Sequence, residues 1–360
     1  MSKLAFDEKE LNVAFELPNF ANPGGPGIPV YSFPIKPMDA MKQAFNHNAQ
    51  WMSAGTDVGF FCPKVIPDHI ARGFVFEAEM IPPEQYGGKD MFGIEWEYVP
   101  VVGGSMVRPG KPFLDDANEW YEKLVWPDID SWDWDASGRA NYDYLHNGNA
   151  NFCWLLNGAW YERLVSFMEF ENAVVALIDE DQQDAVKDLF DRTTDLYIKI
   201  VDRCIEAYGD GIIGFTVHDD WGSQRAPFFS EATGEEMIVP YMRRLTDHIK
   251  EKGYVAELHS CGSLEQQVPN FIKAGWQAWT PMAMNDTEML YEKYGDQIMI
   301  AVIDKSPLPD TPEGQRAAAE AFVKKNFSPK KPSTYSYMYG ADHLTDAYRE
   351  GLYKASRLAV

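Results

Sequence analysis

The sequence predicts an α/β protein built on a parallel sheet. From about residue 151 onward, short apolar strands alternate with amphipathic helices, and each link between strands is long enough to hold a helix. Parallel neighbours require such crossovers, because a tight turn can only reverse the chain. Two architectures meet the requirement: an open doubly wound sheet and a closed (β/α) barrel. Six βα units follow Asn151, and a strand at Val58–Cys62 precedes them, so closure at eight is within reach.

The elements justify themselves in order. Phe152–Leu156 is a buried strand. Asp181–Tyr208 is an amphipathic helix: Val186, Leu189, Phe190, Thr193, Tyr197, Ile200, Val201 and Cys204 recur at three and four residues. Gly209 and Gly211 end it. The run 212–217 is a strand that opens into a polar loop, His218 to Gln224. A helix over 231–252 stops at Gly253, and strand Tyr254–Leu258 leads straight into His259-Ser260-Cys261-Gly262. Ser263 with Gln266 three residues on is a capping-box pattern for a helix ending at Gly275. Strand Gln277–Thr280, helix Thr287–Tyr294 and strand Ile298–Ile303 follow. Thr311-Pro312 opens a helix with Pro at its first position. A strand at Thr334–Met338 and a helix over 345–357 close the series.

Residues 1–35 form an N-terminal extension to a single domain spanning 1–360. The rhythm breaks once more, over 82–135, where Pro82-Pro83, Gly87-Gly88 and Gly103-Gly104 separate aromatic strand-like pieces. That stretch is expected to be an inserted hairpin.

Composition excludes several classes of function. With 45% hydrophobic and 14% aromatic residues the chain can bury a large core. Thirty-two basic against 55 acidic residues give a net charge of −23, which repels nucleic acid and anionic lipid. The N-terminus lacks the apolar stretch of a secretory signal, and a cytoplasmic protein is expected. Cys62, Cys153, Cys204 and Cys261 are widely spaced without a CxxC pair and are expected as free thiols, Cys204 on the apolar stripe of its helix.

Reactive groups of a parallel α/β barrel gather where strands end. Three predicted strand ends carry polar residues that packing would not select. In Glu257-Leu258-His259-Ser260-Cys261 the alternation of a strand turns Glu257, His259 and Cys261 the same way. An imidazole and a thiolate so placed can share one zinc ion, which then holds the thiol deprotonated. Two ligands do not make a site, and a satisfied His beside a structural Cys is the alternative. In His218-Asp219-Asp220-Trp221 the two adjacent acids must face differently; the inward one can bind metal, orient substrate or exchange protons, and the other can cap a helix. Asp304-Lys305 follows the strand at 298–303.

These segments, with Asp90 to Trp96, Leu124 to Asp128 and Tyr294-Gly295-Asp296, resemble the uroporphyrinogen-decarboxylase superfamily over roughly residues 35–358. His218 to Gln224 matches as DDxGxQ and His259 to Gly262 as HSCG. The resemblance implies a (β/α)8 TIM barrel. Decarboxylases of the family grip a polycarboxylate tetrapyrrole with an arginine-rich N-terminal motif, whereas here Arg72 is the first arginine in the chain. The other branch consists of cobalamin-dependent methyltransferases, some holding zinc with HxC and a distant C-terminal Cys. His259 and Cys261 match the first two ligands. No cysteine follows Cys261, so either Glu257, Asp220, Asp304 or His343 completes the set or this protein has given up the zinc–thiol chemistry.

The resemblance therefore implies a methyltransferase moving a methyl group between a small donor, such as a methoxylated compound undergoing O-demethylation, and cobalamin on a partner corrinoid protein, assisted by Zn2+. His259 and Cys261 are the expected metal ligands, and Asp219, Asp220 and Glu257 the expected catalytic acids. His218, Trp221, Gln224, Asp304, Tyr335 and Tyr337 are the expected substrate contacts. No nucleic-acid or membrane partner is expected, and an isologous homodimer is the default assembly. The alternatives are a metal-free decarboxylase acting on a smaller acid and a non-catalytic corrinoid-binding barrel.

Overall fold

The computed structural model describes residues 4–17, 27–101, 103–336 and 344–360. Its strands in chain order are β1 (Val13–Leu17), β2 (Ile28–Tyr31), β3 (Val58–Phe61), β4 (Gly88–Lys89), β5 (Glu95–Val99), β6 (Gly104–Val107), β7 (Ala150–Asn157), β8 (Gly214–His218), β9 (Val255–His259), β10 (Ala278–Thr280), β11 (Met299–Val302) and β12 (Thr334–Tyr335). The class is mixed α/β, with parallel strands alternating with helices as in a TIM barrel. The chain divides into two compact units, one of 1–59, 148–151 and 277–360, the other of 60–147 and 152–276.

In the second unit the strands run in the order β9-β8-β7-β3, with β7, β8 and β9 parallel. The helix expected over 181–208 spans Gln183–Tyr208 and buries all eight predicted stripe residues, Cys204 included. Gly209 ends it at φ 46°. The helix expected as one piece over 231–252 is two, Glu231–Met237 and Val239–Glu251. The second carries Pro240 in its first turn; proline has no N–H to bond the preceding turn, so the ladder breaks at Ile238. Ser263 does not cap a helix. Its N–H bonds the Ser223 carbonyl, and a short 3-10 turn (Glu265–Gln267) leads into the helix Val268–Lys273, which has proline in its first turn.

The insertion is a three-stranded antiparallel sheet, β4-β5-β6. The strand expected from Phe92 starts only at Glu95, because Phe92 and Ile94 donate their N–H groups to Asp90 Oδ1 and wrap the chain around that carboxylate. Arg163, 1% exposed, reaches the same residue at 2.6 Å and also pairs with Asp68.

In the first unit β1 and β2 form an antiparallel pair, and β10, β11 and β12 are parallel neighbours. Thr311 caps the helix Pro312–Asn326 as expected, and Thr345 caps the closing helix Asp346–Leu358. Arg357 of that helix is buried against Glu10 at 2.8 Å and ties the N-terminal extension down. Burying both charges demands such pairing, since either alone would be strongly destabilising.

All four cysteines are free. No helix among the described residues is long and apolar enough to cross a membrane.

Candidate metal centre

Strand register builds the site. Across β7, β8 and β9, Trp154 lies opposite Thr216 and Thr216 opposite Glu257; at the strand ends, Asn157 lies opposite His218 and His218 opposite His259. On β8 and β9 the two rows are two residues apart, so each pair shares a face. On β7 they are three apart. A register shift between Trp154 and Leu156 absorbs the extra residue, as bulges do beside sites, and puts Asn157 against His218.

Beyond the strand ends the two motif loops are zipped together. Asp219 N–H bonds the His259 carbonyl, Trp221 N–H bonds Ser260 Oγ, and Ser263 N–H bonds the Ser223 carbonyl. Gly262 has φ 111°, and a Cβ there would lie 2.5 Å from the Gly222 carbonyl carbon. Both facts require glycine, since only a residue without Cβ tolerates that backbone and that approach.

The outcome is a cluster of four side chains. One ligand atom from each of His218, Asp220, His259 and Cys261 lies within 4.8 Å of every other. His259 Nε2 is 3.4 Å from Cys261 Sγ, and His218 Nε2 is 2.7 Å from Asp220 Oδ1. The Cys261 N–H donates to that same oxygen at 2.5 Å. His218 Nδ1 meets Asn157 Oδ1 at 2.5 Å, so the proton sits on Nδ1 and the other nitrogen faces the cluster. Glu162 closes the back of the site: it accepts the Asp220 N–H at 3.0 Å and lies 3.5 Å from His218 Nδ1.

Electrostatics follow from burial against pairing. Burial would lower the pKa of His218, but the carboxylates of Asp220 and Glu162 overcome it and hold the imidazole well above its ordinary value. Asp220 is driven down in turn: burial raises it, and the His218 charge and hydrogen bond more than offset that. Burial pushes the Cys261 thiol up. Burial likewise raises Glu257 to about 7, against one hydrogen bond from Thr216 Oγ1 at 2.7 Å.

The donor set suits zinc. Two imidazoles, a thiol and a carboxylate are the groups that bind it, four ligands satisfy its tetrahedral preference, and Asn157 supplies the outer contact that fixes a ligating imidazole. The structure thus brings Asp220 and His218 to the expected pair of His259 and Cys261. Asp220 was among the residues open to completing the set; His218 was expected to touch substrate.

The remaining predicted residues fall elsewhere. Asp219 is fully buried and accepts the N–H groups of Tyr161 and Glu162, at the start of the helix Trp160–Ala176, together with Trp221 Nε1. Burial, and then the Glu162 charge, raise its carboxyl to about 7. Trp221 is fully buried between Phe229 and Phe271. Gln224 is exposed on its loop. Glu257 stands one row below the cluster, beside Thr216. Asp304 and Tyr335 belong to the first unit, where Asp304 accepts from the Tyr348 hydroxyl at 2.5 Å and Tyr335 packs on Phe322 and Tyr348. Tyr337 and His343 lie outside the described residues. Sequence reasoning missed Asn157 and Glu162, whose places depend on the β7 bulge and on the turn into the next helix.

Comparison with known proteins bears on the same region. The family model for uroporphyrinogen decarboxylase (URO-D) matches residues 164–333, which hold all four cluster residues. Over this stretch the chain is similar to the uroporphyrinogen-decarboxylase family. The fold is also similar to that of a methyltransferase from Methanosarcina mazei, which superposes with a TM-score of 0.56 at 11% identity, covering 88% of this chain and 98% of its own. Weaker likenesses are a Group II chitinase catalytic domain from Ostrinia furnacalis (TM-score 0.31, 9% identity, 79% of this chain and 63% of that one) and a D-psicose 3-epimerase (0.28, 13%, 68% and 84%). No curated protein sequence matches this chain.

Proposed function

We propose that the protein is a methyltransferase that moves a methyl group between a small methylated compound and a corrinoid carried by a partner protein, with zinc held by His218, Asp220, His259 and Cys261. The observation that supports this reading is the meeting of four zinc-type donors at the ends of β8 and β9. The methyltransferase of like fold from Methanosarcina mazei points the same way.

Zinc, when bound, supplies Lewis-acid polarisation of the atom that carries the methyl group. The protein's own groups do the rest. When a methyl leaves an ether, the bonding pair stays on oxygen, and that oxygen takes up a proton. Glu257 is suited to donate it: its carboxyl, raised to about 7, keeps a proton near neutral pH on the face shared with His259. Thr216 orients that carboxyl. Asn157 and Glu162 hold His218 and Asp220 in place.

Elemental analysis and a methyl-transfer assay test the reading. One zinc per chain is expected, lost in the His259→Ala/Cys261→Ala double variant together with methylation of cob(I)alamin from methoxylated donors. One observation favours a second reading, a metal-free lyase: His218 and Asp220 can satisfy each other as an ion pair at 2.7 Å. Full turnover after exhaustive chelation, with carbon dioxide as the product, would establish that one instead.

A further inference from the structure

Arg72 is the first arginine of the chain and is 5% exposed. Its surroundings fix it without neutralising it. The guanidinium stacks on the Trp96 ring, 4.2 Å from the centroid. Nη1 presses on Gly158, at φ 100°, where any Cβ would overlap that nitrogen. The nearest carboxylate oxygen is Glu162 Oε1 at 3.9 Å, too far for a hydrogen bond. Asp68 and Asp90, the other nearby acids, are engaged by Arg163. Nε and Nη2 are buried with no hydrogen-bond partner.

Those two nitrogens form one edge of the guanidinium, the side-on fork that matches the two oxygens of a carboxylate. A buried cation with that edge unsatisfied is costly unless an anion completes it. The guanidinium neighbours residues that bond to the cluster. Glu162, whose Oε1 is 3.9 Å from Nη1, also accepts the Asp220 N–H, and Gly158 donates its own N–H to the His218 carbonyl. A further buried donor without a partner, Trp154 Nε1, belongs to a ring 6.0 Å from both imidazoles.

We propose that Arg72 is a specificity-determining residue that takes the carboxylate of the substrate on its Nε/Nη2 edge, so that the methylated compound is a small carboxylic acid. The inference rests on the proposed methyltransferase reading for the identity of the reaction, but not for the binding. A single arginine selects a monoanion of modest size, in contrast to a polycarboxylate that needs an arginine-rich motif. The strongly acidic chain would otherwise disfavour any anion, so the selectivity must be local.

Titration calorimetry of the as-isolated protein tests this with 4-methoxybenzoate and methoxyacetate against their neutral amides. At least one acid is expected to bind tenfold or more tightly than its amide. Arg72→Met should abolish that preference, and Arg72→Lys, which keeps the charge and loses the fork, should weaken the acid about tenfold, both at unchanged zinc content. Equal binding of acids and amides by the unaltered protein, binding of neither, or a preference that survives Arg72→Met overturns the proposal. The unaltered protein alone decides the question if both variants fail to fold. Methylation of cob(I)alamin from neutral anisole without acid binding would sink the Arg72 proposal and leave the methyltransferase reading standing; acid binding without any methyl transfer would do the reverse.

Discussion

His218 Nε2 and Asp220 Oδ1 lie 2.7 Å apart, although the residue between them, Asp219, is turned to a helix start. β8 ends at His218 and the chain folds back, so residues 218 and 220 meet on one side while 219 seats the helix Trp160–Ala176. Three consequences for the cluster, and one for the stability of the fold, can be measured.

Asp220→Ala should lower zinc affinity and leave His218 with Glu162 as its only neighbouring carboxylate among those that raise it. A loss of 100-fold or more is expected by chelator competition, because a ligand is removed along with the carboxylate that holds Cys261 N–H. Wild-type affinity in this variant would remove Asp220 from the ligand set.

Asn157→Ala tests the outer contact. Removing a group that orients a metal-bound imidazole costs roughly 10–100-fold in affinity. The fold should be unaffected, so the far-ultraviolet dichroism should not change while the chelator midpoint shifts.

Zinc affinity should rise with pH. Metal binding displaces the proton of the Cys261 thiol, raised by burial, and that of His218, raised by Asp220 and Glu162 despite burial. Each group is thus held protonated to higher pH than an ordinary imidazole or thiol in the metal-free protein. Two protons released per ion give an increase of about 100-fold per pH unit. Competition measured at pH 6, 7 and 8 checks the slope; a flat profile contradicts the ligand assignment.

Acid should weaken the fold through His69, which is not one of the four cluster residues. It is fully buried, and burial lowers its pKa from 6.5 to about 4 even though Nδ1 bonds the Pro63 carbonyl at 2.8 Å. The unfolded chain takes its proton near pH 6.5 and the folded one only near 4. The contribution is therefore complete above pH 6.5 and is lost as pH falls toward 4, on the order of 3 kcal/mol in all. Urea unfolding of the protein and of His69→Gln at pH 7 and pH 4.5 isolates it: the gap between the two should shrink or reverse at the lower pH.

Much of the fold was legible in the chain. The eight-residue stripe from Val186 to Cys204 is buried as its spacing requires, and Thr287–Tyr294 forms the helix expected. Errors came where one residue's chemistry overrode a longer pattern: Pro240 broke a continuous helix, and Asp90 drew Phe92 and Ile94 out of a strand. Half of the cluster was legible too, since strand alternation alone puts His259 and Cys261 on one face.

The sequence by itself determined the α/β alternation, the free thiols and the His259–Cys261 pair, because each depends on residues close together in the chain. Tertiary structure decided which of Asp219 and Asp220 joins the cluster with His259 and Cys261, why His218 joins it too, and that Arg72 comes beside Glu162. Those outcomes rest on the register of β7, β8 and β9 and on one bulge in β7. A shift of a single residue there turns every side chain to the other face, and no local pattern encodes it.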